Sequence, residues 1–473
     1  MRQPTAGWRS ARWRTSTNVA ATAGADVSSP RTGRSRVGTS RGQSASAPGF
    51  SAGEAYYRWP WQGVNWSPAF VFFLVYMFAV TSYQLDVGSP AMALAIISLL
   101  FGGTSDRLRI PTPFAVLLGF VLLAALTYKV TQFSSYEWKP FTDLLKVVAI
   151  GVVAVSVLNN RRRLRFFLFY FLGIYALYPV RGALFNYFIY HSAEADRIAW
   201  NGIFANPNDY STMMLLPLGV SLGLLFTEKE KLIRLCAFTG IGLMALTMFM
   251  TQSRGGLLAL VAGAGLVFLS MKKHRTNFLI AIAVFSLLIV AFAPRSVWTR
   301  LAGLDSAIGS GNLKTANDRN SAAQRFELWK VAYTVGRDFP ITGVGWGAYP
   351  NANFVYSRGS QFDELARGAR DAHNTYLTLF AETGVLGLTI WLSAFVAVAV
   401  TGVRTLRLLR AYLPEYAEQL KFVLVSLFSL AVAAMFGSFA HWSSIYILLA
   451  IITALGLQGR REIEERQRAH FAR

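Results

Sequence analysis

Cysteine, acidic residues and charge in general are scarce in this sequence of 473 residues. A single cysteine, Cys236, excludes an intramolecular disulfide and a cysteine metal cluster. Charged residues make up only 15% of the chain, hydrophobic residues make up 53%, and the mean hydropathy is +0.38. These values lie outside the range of water-soluble globular proteins. The composition therefore predicts a membrane protein.

Motifs for metal, nucleotide and hydrolytic chemistry are missing as well. Between the apolar runs, no Asp-x-Asp pair, His-x-x-x-His pair or Glu-rich cluster indicates a divalent metal. There is no Gly-x-Ser-x-Gly nucleophile elbow. The segment 343–347 (GVGWG) lacks the lysine of a phosphate-binding loop, and we interpret it as a flexible turn near a functional site. The net charge of +22 does not indicate nucleic-acid binding, because much of the Lys and Arg lies in short loops.

Apolar runs recur from Pro68 onward, and each is about long enough for a helix to cross a hydrocarbon core of about 30 Å. The short alternating segments of membrane β-barrels are not the pattern here. We therefore predict an all-α polytopic membrane protein with about twelve transmembrane helices. They are expected near residues 68–84, 88–103, 111–129, 141–159, 166–189, 209–226, 235–251, 256–271, 277–294, 384–402, 421–440 and 444–458.

Basic residues mark alternate loops, so the positive-inside rule assigns those loops and both termini to the cytoplasm. An even number of spans agrees with this topology. Residues 1–66 are rich in Ser, Gly, Ala and Arg, which predicts a disordered basic cytoplasmic tail. Contact of this tail with anionic membrane lipids, and a start codon assigned too far upstream, are two further interpretations. Residues 459–473 are predicted to form a second cytoplasmic tail.

Helices 1 to 9 are predicted within residues 67–294 and helices 10 to 12 within residues 384–458. The long segment between them, residues 295–383, is expected on the face opposite the basic loops, and loops of this length usually carry function. Within it, Phe326, Trp329, Lys330 and Tyr333 recur at helical spacing. This spacing predicts an amphipathic helix that lies along the membrane surface.

His373 lies where this long polar segment meets the next apolar run. Asp371 is a plausible helix N-cap, which would place His373 in the first turn, where the helix dipole lowers the imidazole pKa. A neutral imidazole can accept a proton from a sugar hydroxyl. The alternative is a histidine at the membrane interface with a structural hydrogen bond. A nearby anionic ligand would raise the pKa again.

Two arginines are expected on the same face as His373. Arg254 lies in a tight connection between two spans, where a charge is costly without a partner, and its planar guanidinium suits a lipid pyrophosphate. Contact with lipid head groups is the alternative. Arg325, on the predicted surface helix, is a second phosphate ligand or else a solvated loop residue. Weaker candidates for phosphate binding on this face are Arg181, Arg197 and Arg337.

Two further features have structural interpretations. Arg181 lies inside an apolar span after Pro179, so we expect it to pair with another group within the helix bundle. The segment 206–209 (NPND) opens a span and is typical of a turn followed by a helix cap.

Three motifs together resemble a known family. His373-Asn374, followed after nine residues by Gly384-Val385-Leu386-Gly387, is similar to the histidine motif of the bacterial O-antigen ligases. These ligases form one superfamily with O-antigen polymerases and bacterial O-oligosaccharyltransferases. The segments 251–255 (TQSRG) and 325–329 (RFELW) resemble the two arginine motifs of the family. The resemblance covers about residues 68–458 and leaves out the N-terminal tail.

This resemblance implies a GT-C-like, metal-independent and cofactor-free glycosyltransferase in the bacterial inner membrane, with residues 295–383 as a large periplasmic loop. It implies transfer of an O-antigen glycan from an undecaprenyl-pyrophosphate donor to the lipid A-core of lipopolysaccharide. His373, supported by Asn374, would activate or orient the acceptor hydroxyl. Arg254 and Arg325 would bind the pyrophosphate and stabilise the leaving group.

Two alternatives remain open from the sequence. The first is a polysaccharide polymerase or a protein O-oligosaccharyltransferase of the same superfamily, which would use a similar donor and a different acceptor. The second, more distant alternative is a transporter for an anionic solute. A transporter predicts charged residues deep in the spans and duplicated halves, and the sequence offers few of the former and no evident duplication.

Overall fold

The computed structural model describes residues 59–101, 106–130, 133, 138–192, 196–271, 275–292 and 317–471. The chain divides into the units Met1–Tyr56 and Tyr57–Arg473, and the described residues belong to the second. Their regular secondary structure is helical throughout, which confirms the predicted all-α fold. The predicted N-terminal tail as far as residue 58, and residues 295–316 of the predicted long loop, lie outside the described residues.

The helices follow one another with short connections. In chain order they are α1 (Pro68–Ser82), α2 (Gly88–Phe101), α3 (Thr112–Val130), α4 (Lys139–Val157), α5 (Arg161–Tyr175), α6 (Arg181–Phe188), α7 (Pro207–Met213), α8 (Leu215–Thr227), α9 (Lys231–Met250), α10 (Arg254–Ser270), α11 (Arg275–Phe292), α12 (Asn317–Asp338), α13 (Tyr349–Tyr356), α14 (Thr375–Tyr412), α15 (Pro414–Ala433) and α16 (Ser443–Phe471). A π-helical turn, Ala176–Val180, joins α5 to α6.

Among the described residues, seven helical segments are long and apolar enough to cross a membrane, so the chain is a multi-pass membrane protein. They are Lys139–Val157, Arg161–Phe188, Pro207–Thr227, Lys231–Met250, Thr375–Tyr412, Pro414–Ala433 and Ser443–His470. Shorter apolar helices are Pro68–Ser82, Gly88–Phe101, Thr112–Tyr128, Arg254–Ser270 and Arg275–Val284. Each predicted span overlaps one of these helices. The count of twelve crossings, the domain boundaries and the GT-C-like arrangement stay predictions.

The bounds of two helices differ from the predicted spans. α14 begins at Thr375 rather than near residue 384, and α16 continues to Phe471 rather than ending near residue 458. Hydropathy detects only the apolar part of a helix. Residues 375–383, which contain several threonines, are helical as well. The residues after 458 are rich in Glu, Arg and Gln, whose unbranched side chains form helices readily.

The described membrane helices enclose a large apolar core. α8 packs against α9 and α15, α4 packs against α16, and α14 packs against α3. Phe167, Tyr210 and Tyr446 are fully buried in this core. A separate, smaller core lies in the polar part of the chain, where α12 and α13 pack against α14.

The helix predicted from the spacing of residues 326–333 is present as α12, and one of its faces packs in the smaller core. Leu328, Val331 and Val335 are buried in the smaller core. Phe326 and Tyr333, whose spacing led to the prediction, are exposed. Contact of this exposed aromatic face with a membrane surface stays a prediction.

α14 contains a break at Gly384, which has φ 64° and ψ −168°. The chain segment after α12 fills the gap in the helix. Val385 N donates to Pro340 O at 2.8 Å, Val344 N donates to Ala381 O at 2.9 Å, and Gly345 N donates to Glu382 O at 2.8 Å. The turn at 343–347 is therefore fixed against α14 and is not the flexible turn that the sequence suggested.

A buried ion pair joins parts of the chain far apart in sequence. Arg163, on the first turn of α5, pairs with Asp106, and both side chains are almost fully buried. Asp106 also accepts hydrogen bonds from Asn159 Nδ2 and Ser67 Oγ, and Arg163 Nε donates to Asn65 O at 2.7 Å. The polar groups of this cluster thus satisfy one another inside an apolar bundle, as buried charges require.

Candidate functional site

The turn between α9 and α10 holds Arg254 in a fixed position. Ser253 is the N-cap of α10, and its Oγ accepts a hydrogen bond from Gly256 N at 3.3 Å. A Cβ on Gly255 would lie 2.6 Å from the Phe436 side chain, and one on Gly256 would lie 2.0 Å from Ser211 Oγ. Only glycine therefore permits this close approach of helices, and the predicted tight turn is confirmed.

Arg197 supports this turn from outside. Its Nε donates to Thr251 O at 2.8 Å, and its Nη2 donates to Asn208 Oδ1 at 2.8 Å. Arg197 thereby connects the end of α9 with the start of α7. This geometry gives Arg197 a positioning role beside Arg254.

Arg325 comes from α12 and faces the same region as Arg254. Burial lowers the pKa of the Arg325 guanidinium, the Asp209 carboxylate raises it, and the positive charge of Arg254 lowers it. These influences require the three groups to lie near one another. The site thus combines two guanidinium groups with one carboxylate, an arrangement suited to an anion with more than one negative charge.

His373 precedes α14 rather than lying in its first turn. The N-cap is Asn374, not Asp371 as predicted, because Asn374 Oδ1 accepts hydrogen bonds from Tyr376 N at 3.0 Å and Leu377 N at 3.1 Å. Asn374 therefore supports His373 by fixing where the helix starts. Thr375 anchors this start to the residues after α15, since Thr375 N donates to Ala434 O at 2.8 Å.

The imidazole of His373 lies within the electrostatic influence of Arg325. Burial lowers the pKa of His373, Arg325 lowers it further, Asp371 raises it and Arg370 lowers it. The sequence left the direction of this pKa shift open, and in the structure burial and the neighbouring Arg325 lower the pKa. His373 is therefore held as a neutral base next to a cationic site.

The contacts of Arg181 and Arg337 are with residues close to them in the sequence. The Arg181 guanidinium lies 4.5 Å from the centroid of the Phe185 ring, and its side chain is exposed, which contradicts the predicted pairing inside the bundle. The π-helical turn before Arg181 adds a residue to the helix and so rotates the following face. Arg337 is exposed as well, with its Nη2 3.3 Å from Asp338 Oδ1.

Two residues near the site were not predicted as site residues from the sequence. Asp209 belongs to the segment 206–209, whose predicted capping role is confirmed because Asn206 Oδ1 accepts from Asn208 N at 2.8 Å. Asp209 additionally influences Arg325. His441 lies in the connection between α15 and α16, where Asp371 influences its charge. For both residues, the sequence feature that could have indicated a role in the site is a polar residue at the end of an apolar run.

Among the described residues, no group of three or more His, Cys, Asp or Glu side chains is arranged to hold a metal ion. Whether the reaction proceeds without a metal stays a prediction.

Comparison with known proteins finds similarity in this part of the chain. Residues 239–392, which include Arg254, Arg325 and His373, match the family model described as O-antigen ligase. An uncharacterized protein of Haemophilus influenzae is 26% identical over 167 residues, which are 34% of this chain and 42% of that relative. The chain thus matches less than half of the relative's length. Over residues 239–392, the chain is therefore similar to the O-antigen ligase family.

Proposed function

We propose that this protein is a GT-C-type membrane glycosyltransferase that transfers an O-antigen glycan from undecaprenyl pyrophosphate to the lipid A-core of lipopolysaccharide. The observation that carries this proposal is that Arg325 lies close enough to both Arg254 and His373 for their charges to affect one another's pKa. In this arrangement the arginine pair, which can bind an anion, lies next to the neutral base His373. The family match to residues 239–392 supports the same assignment.

The arginines bind the donor in this mechanism. Arg254 and Arg325 contact the pyrophosphate oxygens and stabilise the negative charge that develops as the bond between the anomeric carbon and the phosphate oxygen breaks. Undecaprenyl pyrophosphate leaves with the electron pair of that bond. Because two guanidinium groups supply the positive field, the proposed reaction proceeds without a metal or other cofactor.

His373 acts on the acceptor. Its neutral imidazole accepts the proton of an acceptor hydroxyl while the hydroxyl oxygen forms the new bond to the anomeric carbon. Asn374 and Arg197 are positioning residues, since they fix the start of α14 and the turn of Arg254 respectively. In this proposal the site opens to the periplasm and both termini lie in the cytoplasm, as the distribution of basic loops suggests.

Reconstitution in proteoliposomes tests this function. Purified protein, an undecaprenyl-pyrophosphate glycan and lipid A-core should yield glycan-capped core, and His373→Gln or Arg325→Gln should lower the rate at least about 100-fold. Arg358→Gln is the matched control. Arg358 is an exposed arginine in the same polar segment, its guanidinium lies over the Phe354 ring, and its replacement should leave the rate within about twofold.

The products decide between related activities. A lengthened lipid-linked glycan would instead identify a polymerase, and a glycosylated protein would identify an O-oligosaccharyltransferase. A rate abolished by a chelator would contradict the metal-free mechanism. Full activity of His373→Gln or Arg325→Gln would contradict the roles proposed for these residues.

A further inference from the structure

Gln252 follows the end of α9 in a conformation that glutamine rarely adopts. Its φ is 53°, in the left-handed region, and it comes directly after Thr251, the C-cap of α9. Helices often end with one left-handed residue at this position, and it is usually glycine, because a side chain makes the conformation costly. The Gln252 side chain is buried. A buried glutamine at a position that favours glycine indicates that the side chain itself has a role.

The side-chain amide of Gln252 bonds to a second residue with a left-handed backbone. Gln252 Nε2 donates to Asp196 O at 3.0 Å, and Asp196 has a φ of 57°. Residues other than glycine are uncommon in this region and persist where the surrounding contacts impose the conformation. Two such residues, 56 positions apart in the chain, are thus joined by one hydrogen bond.

The bond of Gln252 is one of three hydrogen bonds that join the same two segments. Ile198 N donates to Met250 O at 3.2 Å. Arg197 Nε donates to Thr251 O at 2.8 Å. Three consecutive residues of one segment therefore bond to three consecutive residues of the other, in the opposite chain direction.

We refer to residues 196–198 and 250–252 together as the clamp. A single residue, Ser253, separates Gln252 from Arg254, and Ser253 is the N-cap of α10. Arg254 is the first residue of α10. The backbone conformation of Gln252 therefore sets the direction in which α10 starts, and with it the position of the Arg254 guanidinium.

We propose that Gln252 is a positioning residue for Arg254, and that its side-chain amide holds the left-handed turn that presents the guanidinium to the donor pyrophosphate. The inference rests on the proposed function, which makes Arg254 a ligand of the donor. Arg197 bonds to the turn from outside, whereas Gln252 is the turn residue whose φ orients α10. Glycine would adopt this φ with less strain, but it would leave the turn without its bond to Asp196 O.

Variants that accept the left-handed conformation test the side chain separately from the backbone. Gln252→Gly removes the amide and relieves the strain, and Gln252→Asn shortens the amide by one methylene at a residue type that tolerates this φ. Both should lower kcat/KM for the donor about tenfold and leave KM for the acceptor within about twofold, because a displaced guanidinium affects only the donor. Unchanged kcat/KM in both variants would overturn the proposal.

His191→Gly is the matched control. His191 also has a left-handed φ, 47°, and its side chain is exposed outside the clamp. Its replacement by glycine relieves the same kind of strain without removing a clamp bond, so kcat/KM for the donor should stay within about twofold of the wild-type value.

A double-variant cycle tests whether Gln252 acts through Arg254. In an Arg254→Gln background, Gln252→Gly should lower the residual kcat/KM by less than about twofold, because no guanidinium remains to be positioned. A residue that only stabilises the fold would lower activity equally in both backgrounds. A further tenfold loss in the Arg254→Gln background would therefore overturn the positioning role.

Hydrogen exchange separates this inference from the proposed function, since it requires no transfer activity. In the full detergent-solubilised chain, the backbone amides of residues 251–256 should exchange at least about tenfold faster in Gln252→Gly and Gln252→Asn than in the wild type, and at the wild-type rate in His191→Gly. This pattern supports the hold of Gln252 on the turn even if the wild-type protein forms no glycan-capped core. Unchanged exchange in both Gln252 variants would refute it while leaving the glycosyltransferase proposal standing.

Discussion

His373 has a backbone φ of 49°, a left-handed conformation that is uncommon for residues other than glycine. Such conformations cost about 1 to 3 kcal/mol and persist where the surrounding structure imposes them. Here the constraint comes from the next residue, because Asn374 starts α14 through two hydrogen bonds. The strained residue and the proposed catalytic base are therefore the same residue.

The lowered pKa of His373 predicts the pH dependence of the reaction. Burial and Arg325 keep the imidazole neutral at pH values below the ordinary histidine pKa of about 6.5. In proteoliposomes, kcat/KM for the donor should be constant from about pH 8 down to about pH 6.5 and should fall at lower pH, because protonation removes the base.

The variant Arg325→Gln tests the direction in which Arg325 shifts the pKa of His373. The positive charge of Arg325 lowers the pKa of His373, so its removal should raise that pKa and move the acidic limb of the residual activity to higher pH. Arg358→Gln should leave the limb in place, since Arg358 is not among the groups that influence His373. A limb that moves to lower pH in Arg325→Gln would contradict the electrostatic coupling of the two residues.

At the scale of elements, α14 combines two functions because of its break. Its first part carries Glu382 and begins directly after His373, and its second part is an apolar membrane helix. At Gly384 the chain takes a φ of 64°, and Pro340 and Ile341 accept the hydrogen bonds of Val385 and Leu386. The break thus ties the polar segment to the membrane bundle next to the site.

Gly384→Ala should disrupt this connection. An added Cβ would lie 2.3 Å from the carbonyl carbon of Ile341, and an L-residue is strained at this φ. We expect the free energy of unfolding to fall by about 2 to 4 kcal/mol and the transfer rate to fall with it. Denaturant titration of the purified protein and the reconstituted assay measure the two effects.

Gly265→Ala is the control for this prediction. Gly265 lies inside α10, and no heavy atom lies within 4 Å of the position of an added Cβ. Because alanine favours helix over glycine, stability should stay equal or rise by up to about 1 kcal/mol. A Gly384→Ala protein as stable and active as the wild type would show that the break does not position the site.

At the scale of the whole molecule, the Arg163 cluster joins the chain before α1, the chain before α3 and the start of α5. Replacing Arg163 with leucine leaves the Asp106 carboxylate buried without its ion pair. We expect the free energy of unfolding to fall by about 3 to 5 kcal/mol, as when one partner of a buried pair is removed. Denaturant titration in detergent measures this loss.

A neighbouring arginine offers the matched control. Arg161 pairs with Glu415 at 3.0 Å, but both side chains are about 40% exposed. Arg161→Gln should therefore change stability by no more than about 1 kcal/mol. Equal effects of Arg161→Gln and Arg163→Leu would contradict a special contribution of the buried cluster.

At this scale, part of the candidate site could be predicted from the sequence. Arg254, Arg325 and His373 were identified by residue type, motif and predicted membrane face, and the structure brings them together. Arg181 and Arg337 had similar sequence features, but Arg181 lies over the Phe185 ring and Arg337 pairs with Asp338. The phase of a helix after a π-helical turn decides which way an arginine faces, and no local pattern encodes that phase.

The sequence by itself determined the helical membrane architecture and the family motifs, because hydropathy, helix-compatible spacing and motif residues are local properties of the chain. Only the tertiary structure decided the N-cap at Asn374, the packing of residues 339–347 against Gly384, the approach of Asp209 to Arg325 and a cavity beside His441. Apart from the N-cap, which is a local contact, each of these depends on contacts between residues far apart in sequence. Such contacts arise from the packing of whole helices.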